Sequence, residues 1–209
     1  MTPPKVVVGI TGASGAAYAV RLLECLTAAG TQVHLVVSPH GRQLLAEELD
    51  LKDLSPPALV GPPHADQVTL HRFHDVGAVI ASGSFMTDGM VVCPCSGNTL
   101  AQIASGTADN LLTRAAAVHL KESRRLIVVP REMPLSAIEI ENMLRLSRSG
   151  GTICPACPGF YLRPARVQDL VDFVVGKICD LLGVPHDLHT RWRPPTAPGT
   201  ADESATGRD

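Results

Sequence analysis

Apolar positions along the chain follow two alternating patterns, short β-branched runs and longer stretches with helical spacing. Strand-like runs recur at 5–10, 32–38, 90–93, 125–129 and 151–154, and helical patterns lie at 15–29, 39–48, 99–105, 111–122, 136–148 and 167–182. This alternation predicts a parallel sheet covered by helices on both faces, an α/β fold. In such folds ligands bind beyond the carboxyl ends of the strands. The segments that follow the strands, TGASG, SPHG, PCSGNT and PREMP, are therefore expected to converge on one edge of the sheet. Residues 50–74 are proline-rich and irregular and are expected to form a loop region. Residues 193–209 have almost no large apolar side chain and are expected to be a disordered tail, which leaves 1–192 as a single domain.

Composition narrows the partners. With 45% hydrophobic residues in a chain of 209, one sizeable core is expected. A net charge of −2 and the lack of a polybasic run give no surface for nucleic acid. No stretch of about 18 apolar residues predicts a membrane span, and the N-terminal MTPPKVVVGI does not read as a secretory signal, so a cytoplasmic protein is expected. In that setting the six cysteines are expected as reduced thiols. CPC at 93–95 and CPAC at 154–157 look like strand ends followed by turns rather than zinc knuckles, so no metal is expected. His71 and His74 in HRFHD are expected to be solvated or locally bonded.

The chemistry begins in the first turn. VVVGITGASGAAYAV reads as strand, tight turn and helix, with Gly9, Gly12 and Gly15 spaced G-x-x-G-x-x-G. Backbone N–H groups and a helix N-terminus there suit a phosphate, although an ordinary strand-to-helix turn has the same composition. The dinucleotide spacing G-x-G-x-x-G is missing, and the second strand ends at Ser38 where a ribose-binding carboxylate would stand, so a mononucleotide or another phosphorylated ligand fits better than NAD. Hydroxyls at Thr11, Ser14, Ser38, Ser96 and Thr99 could bind phosphate and polyol oxygens or cap helices. Arg114 and Lys121 lie seven apart on one predicted helix, Arg131 follows a strand, and Lys177 interrupts an apolar helical pattern. Solvated singly, or convergent, these cations would make a second anion site. Glu132 beside Arg131, and Glu48 at the end of a predicted helix, could move protons or form ion pairs.

Several longer motifs carry a family resemblance: GITGASGA, ASGSFMTDGMVVCPCSGNTLAQIASGTADNLLTRAA, LKESRRLIVVPREMPLS, ENMLRLSRSGGTICPACPGFY and VQDLVDFVVGKICDLLG. Together, from about residue 5 to Trp192, they resemble the flavin prenyltransferases of the UbiX family. The resemblance implies a Rossmann-like, flavoprotein-type sheet and a metal-independent transferase. The dimethylallyl group of dimethylallyl monophosphate would be joined to N5 and C6 of reduced FMN, and prenylated FMN supplied to a UbiD-type decarboxylase. It also implies FMN contacts at Gly12, Ala13, Ser14, Ser38, Ser96, Gly97, Asn98, Thr99 and Arg131. Prenyl phosphate contacts would fall at Ala81, Ser82, Gly83, Lys121, Arg131, Tyr161 and Lys177. Glu132, Glu48 and Ser14 would handle protons, Lys121 would act at the leaving phosphate, and Arg114 would support the charge network. Trp192 and Phe85 could offer π faces to an allylic cation. Lys177 stands where many members of that family carry Arg, and a homo-oligomer, commonly a dodecamer, is implied. Two competing readings share the flavin: an FMN-dependent cysteine decarboxylase and a non-catalytic FMN carrier. The absence of a D-D-x-x-D motif agrees with monophosphate departure assisted by fixed cations.

Overall fold

The structure, a computed structural model, describes residues 2–188 and Thr190. Trp192 and the expected tail at 193–209 lie outside the described residues. Six parallel strands, β1 (Lys5–Ile10), β2 (Gln32–Val37), β3 (Val68–His71), β4 (Gly89–Cys95), β5 (Leu126–Pro130) and β6 (Thr152–Ile153), form one sheet in the order β3-β2-β1-β4-β5-β6. Among the described residues, seven α-helices surround it: α1 (Ala16–Ala28), α2 (Pro39–Leu49), α3 (Pro56–Val60), α4 (Gly97–Ser105), α5 (Leu111–Lys121), α6 (Ala137–Arg148) and α7 (Val167–Leu182). The strand order reverses between β1 and β4, which puts the topological switch point at the end of β1.

Burial follows the pleat of the strands. Val6, Val8 and Ile10 of β1 join Leu22, Leu23 and Leu26 of α1 and Val175 and Ile178 of α7 in one core layer. Val7 faces the other way, with Val92 of β4 and Leu111, Leu112 and Ala115 of α5. Each fully buried leucine contributes about 2 kcal/mol of transfer free energy, so the two layers hold the strand ends in fixed register.

The helix boundaries come from local chemistry. Ser38 and Ser96 cap α2 and α4 by accepting from the N–H groups of Gly41 at 3.0 Å and Thr99 at 3.4 Å. Asn110 caps α5 through Thr113 N–H at 3.0 Å, and Ser136 with Glu139 forms a capping box on α6. Residues 50–74 depart from the expected loop: α3, a 3-10 turn at Pro62–Gln67 and the edge strand β3 occupy them. β3 is only four residues long and pairs on one side only, with β2, so it carries little of the apolar signal of a central strand. β6 is likewise shorter than the expected 151–154, whereas β4 runs on through Pro94 to Cys95.

Candidate functional site

The turns after β1, β2, β4 and β5 meet at one edge of the sheet. Thr11 fastens two of them: its N–H and Oγ1 both donate to Pro94 O, at 3.2 and 2.8 Å, and Ser96 N–H donates back to Thr11 Oγ1 at 2.8 Å. Ser38 N–H donates to Ile10 O at 2.9 Å and brings the start of α2 alongside. A cleft of about 560 Å³ opens there, walled by Gly12, Ser38, Ser96, Asn98 and Thr99 on the polar side and by Phe73 and Leu112 on the apolar side. Gly12 is required at its position, because a Cβ there would lie 2.5 Å from the Cβ of His40. The N–H groups of Gly97 and Asn98 open α4 and have no intrahelical acceptor. With Ser96 and Thr99 they make the anion-binding end of this cleft.

The glycine turn itself is held differently from the sequence expectation. Glu48, at the end of α2, accepts from Gly15 N–H at 3.0 Å and Ala16 N–H at 2.8 Å. The first N–H groups of α1 therefore face an internal carboxylate rather than an open phosphate cradle. Burial raises the Glu48 pKa, but hydrogen bonds from Ser14, Ala16 and Gly15, with Arg131 nearby, hold it below the ordinary carboxylate range. Arg131 Nε donates to Ser14 O at 3.1 Å, so the cation after β5 is tied to the turn after β1. Glu132, next to it, is exposed and accepts from Met133 N–H at 3.2 Å.

The remaining candidate cations fall into two groups. Arg114 Nε donates to Ala81 O at 3.1 Å. Lys121 pairs with Glu122 at 2.7 Å, and a Cβ on Gly83 would lie 3.1 Å from Lys121 Nζ. Arg124 reaches Phe85 O at 2.8 Å and also Gly83 O. The 81–83 loop, Arg114 and Lys121 are thus one unit, and Lys121 lies at the end of α5 that leads into the start of β5. Arg131 lies beyond the other end of β5, whose five residues span roughly 16 Å at about 3.3 Å per residue. The second group gathers around the 154–161 segment. Burial raises the Tyr18 phenol and the Cys154 thiol, opposed by Arg131 in the first case and Lys177 in the second. Tyr161 stacks edge-on against Phe173 of α7, with centroids 5.6 Å apart.

Several cleft residues were not singled out from the sequence, His40, Phe73, Gln102, Asp109, Asn110 and Thr113, and His74 was not expected to line a site. Asn110 had a readable signal as a cap before an apolar helix. Phe73 and His74 follow the unrecognised β3. His71 is bonded to a neighbour as expected, with His34 Nδ1 at 2.9 Å, and His34 meets Phe85 edge-on. Cys93 and Cys95 are buried, and burial pushes both thiols up. Among the described residues, no three His, Cys, Asp or Glu side chains cluster so as to hold a metal ion. None of their helices is long and apolar enough to cross a membrane.

The Flavoprotein family model matches residues 1–179. A flavin prenyltransferase UbiX from Halalkalibacterium halodurans is 50% identical over 188 residues, covering 88% of this chain and 91% of the relative. The chain belongs to the UbiX flavin prenyltransferase family. Solved UbiX structures superpose on it closely. A UbiX protein, PadA1, crystallised with FMN and dimethylallyl pyrophosphate, has a TM-score of 0.86 at 38% identity, covering 92% of this chain and 99% of that one. A dodecameric FMN-dependent UbiX-like decarboxylase from Escherichia coli O157:H7 has a TM-score of 0.84 at 44% identity, covering 91% of this chain and all of that one. This UbiX family member is accordingly a flavoprotein of the transferase class.

Proposed function

We propose that this chain joins the dimethylallyl group of dimethylallyl monophosphate to N5 and C6 of reduced FMN, with release of phosphate, and that a UbiD-type decarboxylase uses the prenylated flavin. The observation that carries the reading is the pairing of a flavin-sized cleft with a separate set of fixed cations. A carrier needs the first and has no use for the second.

FMN fits the cleft. Its polar end has the hydroxyls of Ser38, Ser96 and Thr99 and the amide groups that open α4, and Phe73 and Leu112 supply the flat apolar wall that a ring system needs. Gly12, Ala13 and Ser14 approach with backbone, and Arg131, braced on Ser14 O, reaches from the side. When bound in its reduced form, the flavin supplies the nucleophilic N5 and C6 positions. Lys121, Arg131, Lys177 and the Tyr161 hydroxyl hold the phosphate and stabilise charge developing on it as it leaves. Ala81, Ser82 and Gly83 line the prenyl side, positioned by Arg114 through Ala81 O. Glu132 is the proton carrier, helped by the Ser14 hydroxyl. Glu48 is a positioning residue, since its carboxylate is kept ionised by the N–H groups it accepts from.

The two cation groups lie toward opposite edges of the sheet within one chain, so a single phosphate meets both only where two copies adjoin. The surface supports such an assembly. Met133 is 87% exposed and Ile138 71%, with Leu135 just before α6 and Ile140 and Leu144 on it also exposed, in the segment that follows Arg131 and Glu132. A homo-oligomer, a dodecamer as in the E. coli relative, fits that face.

The test is phosphate release under anaerobic conditions. Inorganic phosphate should appear from dimethylallyl monophosphate only when reduced FMN is present, with little turnover of the diphosphate. Release without flavin, or none with it, would overturn the proposal.

A further inference from the structure

Residues 82–88, between the 3-10 turn Val79–Ala81 and β4, form neither helix nor strand, and they include part of the segment assigned above to the prenyl side. The path of such a segment is set by the partners its backbone finds. Here they come from α5 and the turn after it, at every second residue. Arg114 Nε donates to Ala81 O at 3.1 Å, Arg124 Nη2 donates to Gly83 O and Nη1 to Phe85 O at 2.8 Å, and His119 Nε2 lies 2.8 Å from Thr87 Oγ1. Arg124 is the one among them that grips two carbonyls, which the planar fork of a guanidinium allows. Its Nη2 also meets Met86 Sδ at 3.3 Å. Arg124 is partly buried, and its own N–H donates to His119 O at 2.8 Å, so the fork is seated on α5. The far end of the segment has further anchors: the Phe85 ring meets His34 edge-on with centroids 5.0 Å apart, and Asp88 accepts from Lys5 N–H at 2.7 Å. Gly83 has no side chain to anchor it. A Cβ there would collide with the Glu122 carboxylate and lie 3.1 Å from Lys121 Nζ, so the Gly83 backbone is seated directly against the Lys121–Glu122 pair.

We propose that Arg124 is a positioning residue for the prenyl phosphate: by holding the carbonyls of Gly83 and Phe85 toward α5, it keeps the Ser82–Gly83 backbone and the Lys121 ammonium in one arrangement, so that a single phosphate meets both. The inference rests on the prenyl-transfer reading given above. Both terminal nitrogens of Arg124 are committed to the loop, so its cation acts through the loop and not on the phosphate itself. Lys121 is the group that meets the substrate, and Arg124 sets where the loop stands relative to it. The flavin is outside this arrangement, because neither Arg124 nor any residue of 81–88 lines the flavin cleft.

The experiment titrates dimethylallyl monophosphate into the full-length protein loaded with oxidised FMN, which does not turn over, and follows binding by calorimetry. Arg124→Ala loses two charge-assisted hydrogen bonds to the loop and should bind dimethylallyl monophosphate about tenfold more weakly, with FMN affinity unchanged. Arg124→Lys, whose ammonium lacks the fork, should restore part of the loss and bind about threefold more weakly than the native protein. With reduced FMN, the KM for dimethylallyl monophosphate should rise by the same factors while kcat falls by less. Should Arg124→Ala fail to fold, Arg124→Lys decides the matter by the same comparison of the two ligands. Native-like affinity for dimethylallyl monophosphate in the variants, or equal weakening of FMN and dimethylallyl monophosphate, would overturn this inference and leave the prenyl-transfer reading standing. Failure of the native protein to bind dimethylallyl monophosphate would strike that reading, and this inference with it.

Discussion

Replacing Glu48 by alanine tests how the glycine turn is held. In the native chain one carboxylate oxygen accepts from Gly15 N–H at 3.0 Å and Ala16 N–H at 2.8 Å, and the other lies 3.3 Å from Gly15 N. The side chain acts as a remote N-cap for α1, where Gly15 itself supplies no side-chain acceptor. Loss of such a cap costs about 1–2 kcal/mol; water can reach the freed N–H groups of this exposed site, which keeps the cost in that range rather than higher. In a chain of this length each kcal/mol moves the melting temperature by about 2–4 °C, so Glu48→Ala should melt about 2–8 °C lower at pH 7. Its dependence on pH has a definite sign. The folded pKa lies below the unfolded one, so the contribution is complete above the ordinary glutamate range and disappears as pH falls through the folded value. Thermal unfolding at fixed protein concentration should therefore show a gap between native and variant that is full at pH 7 and narrows as pH falls below the ordinary glutamate range. Glu48→Gln, which keeps an acceptor but no charge, should fall between them. Equal melting of Glu48→Ala and the native protein at pH 7, or a gap that widens in acid, would refute the capping role.

Gly12→Ala should weaken FMN binding, because its Cβ would stand 2.5 Å from that of His40 and force the start of α2 away from the cleft; about 1–3 kcal/mol of overpacking is expected, read by flavin fluorescence titration. His34 is held down to about 4 by burial, by His71 and by Lys5. The unfolded chain therefore binds more protons between about pH 6.5 and 4, and stability should fall across that window by about 1–2 kcal/mol after solvent screening of a half-exposed ring. The urea midpoint of His34→Gln should be correspondingly flatter with pH. Lys177→Arg, which offers a planar fork in place of a point charge, should lower the KM for dimethylallyl monophosphate by about fivefold, or about 1 kcal/mol, with kcat little changed.

The sheet and its helices were legible because their signals are local. Runs such as KVVVGI and RLIVV are β-branched and bounded by turns, and α6 declares its start in the Ser136–Glu139 capping box. The same locality hid β3, four residues on the sheet's edge after a proline-rich approach. Glu48 carried no sign of its partner because Gly15 is 33 positions away and the contact exists only once α2 folds back over the β1 turn. The cations were legible as a set but not in their grouping. Arg114 and Lys121 share a helix, but α5 leads away from the edge where Arg131 stands, and that distance appears only with the crossover in place.

The most direct measurement is the mass of the flavin extracted after anaerobic incubation of the purified protein with reduced FMN and dimethylallyl monophosphate. The account predicts FMN heavier by one C5 prenyl unit with the native protein, and unmodified FMN with Lys121→Ala or Arg131→Ala at undiminished flavin binding for the former. Unmodified FMN from the native protein, with the flavin shown to be bound, would contradict it.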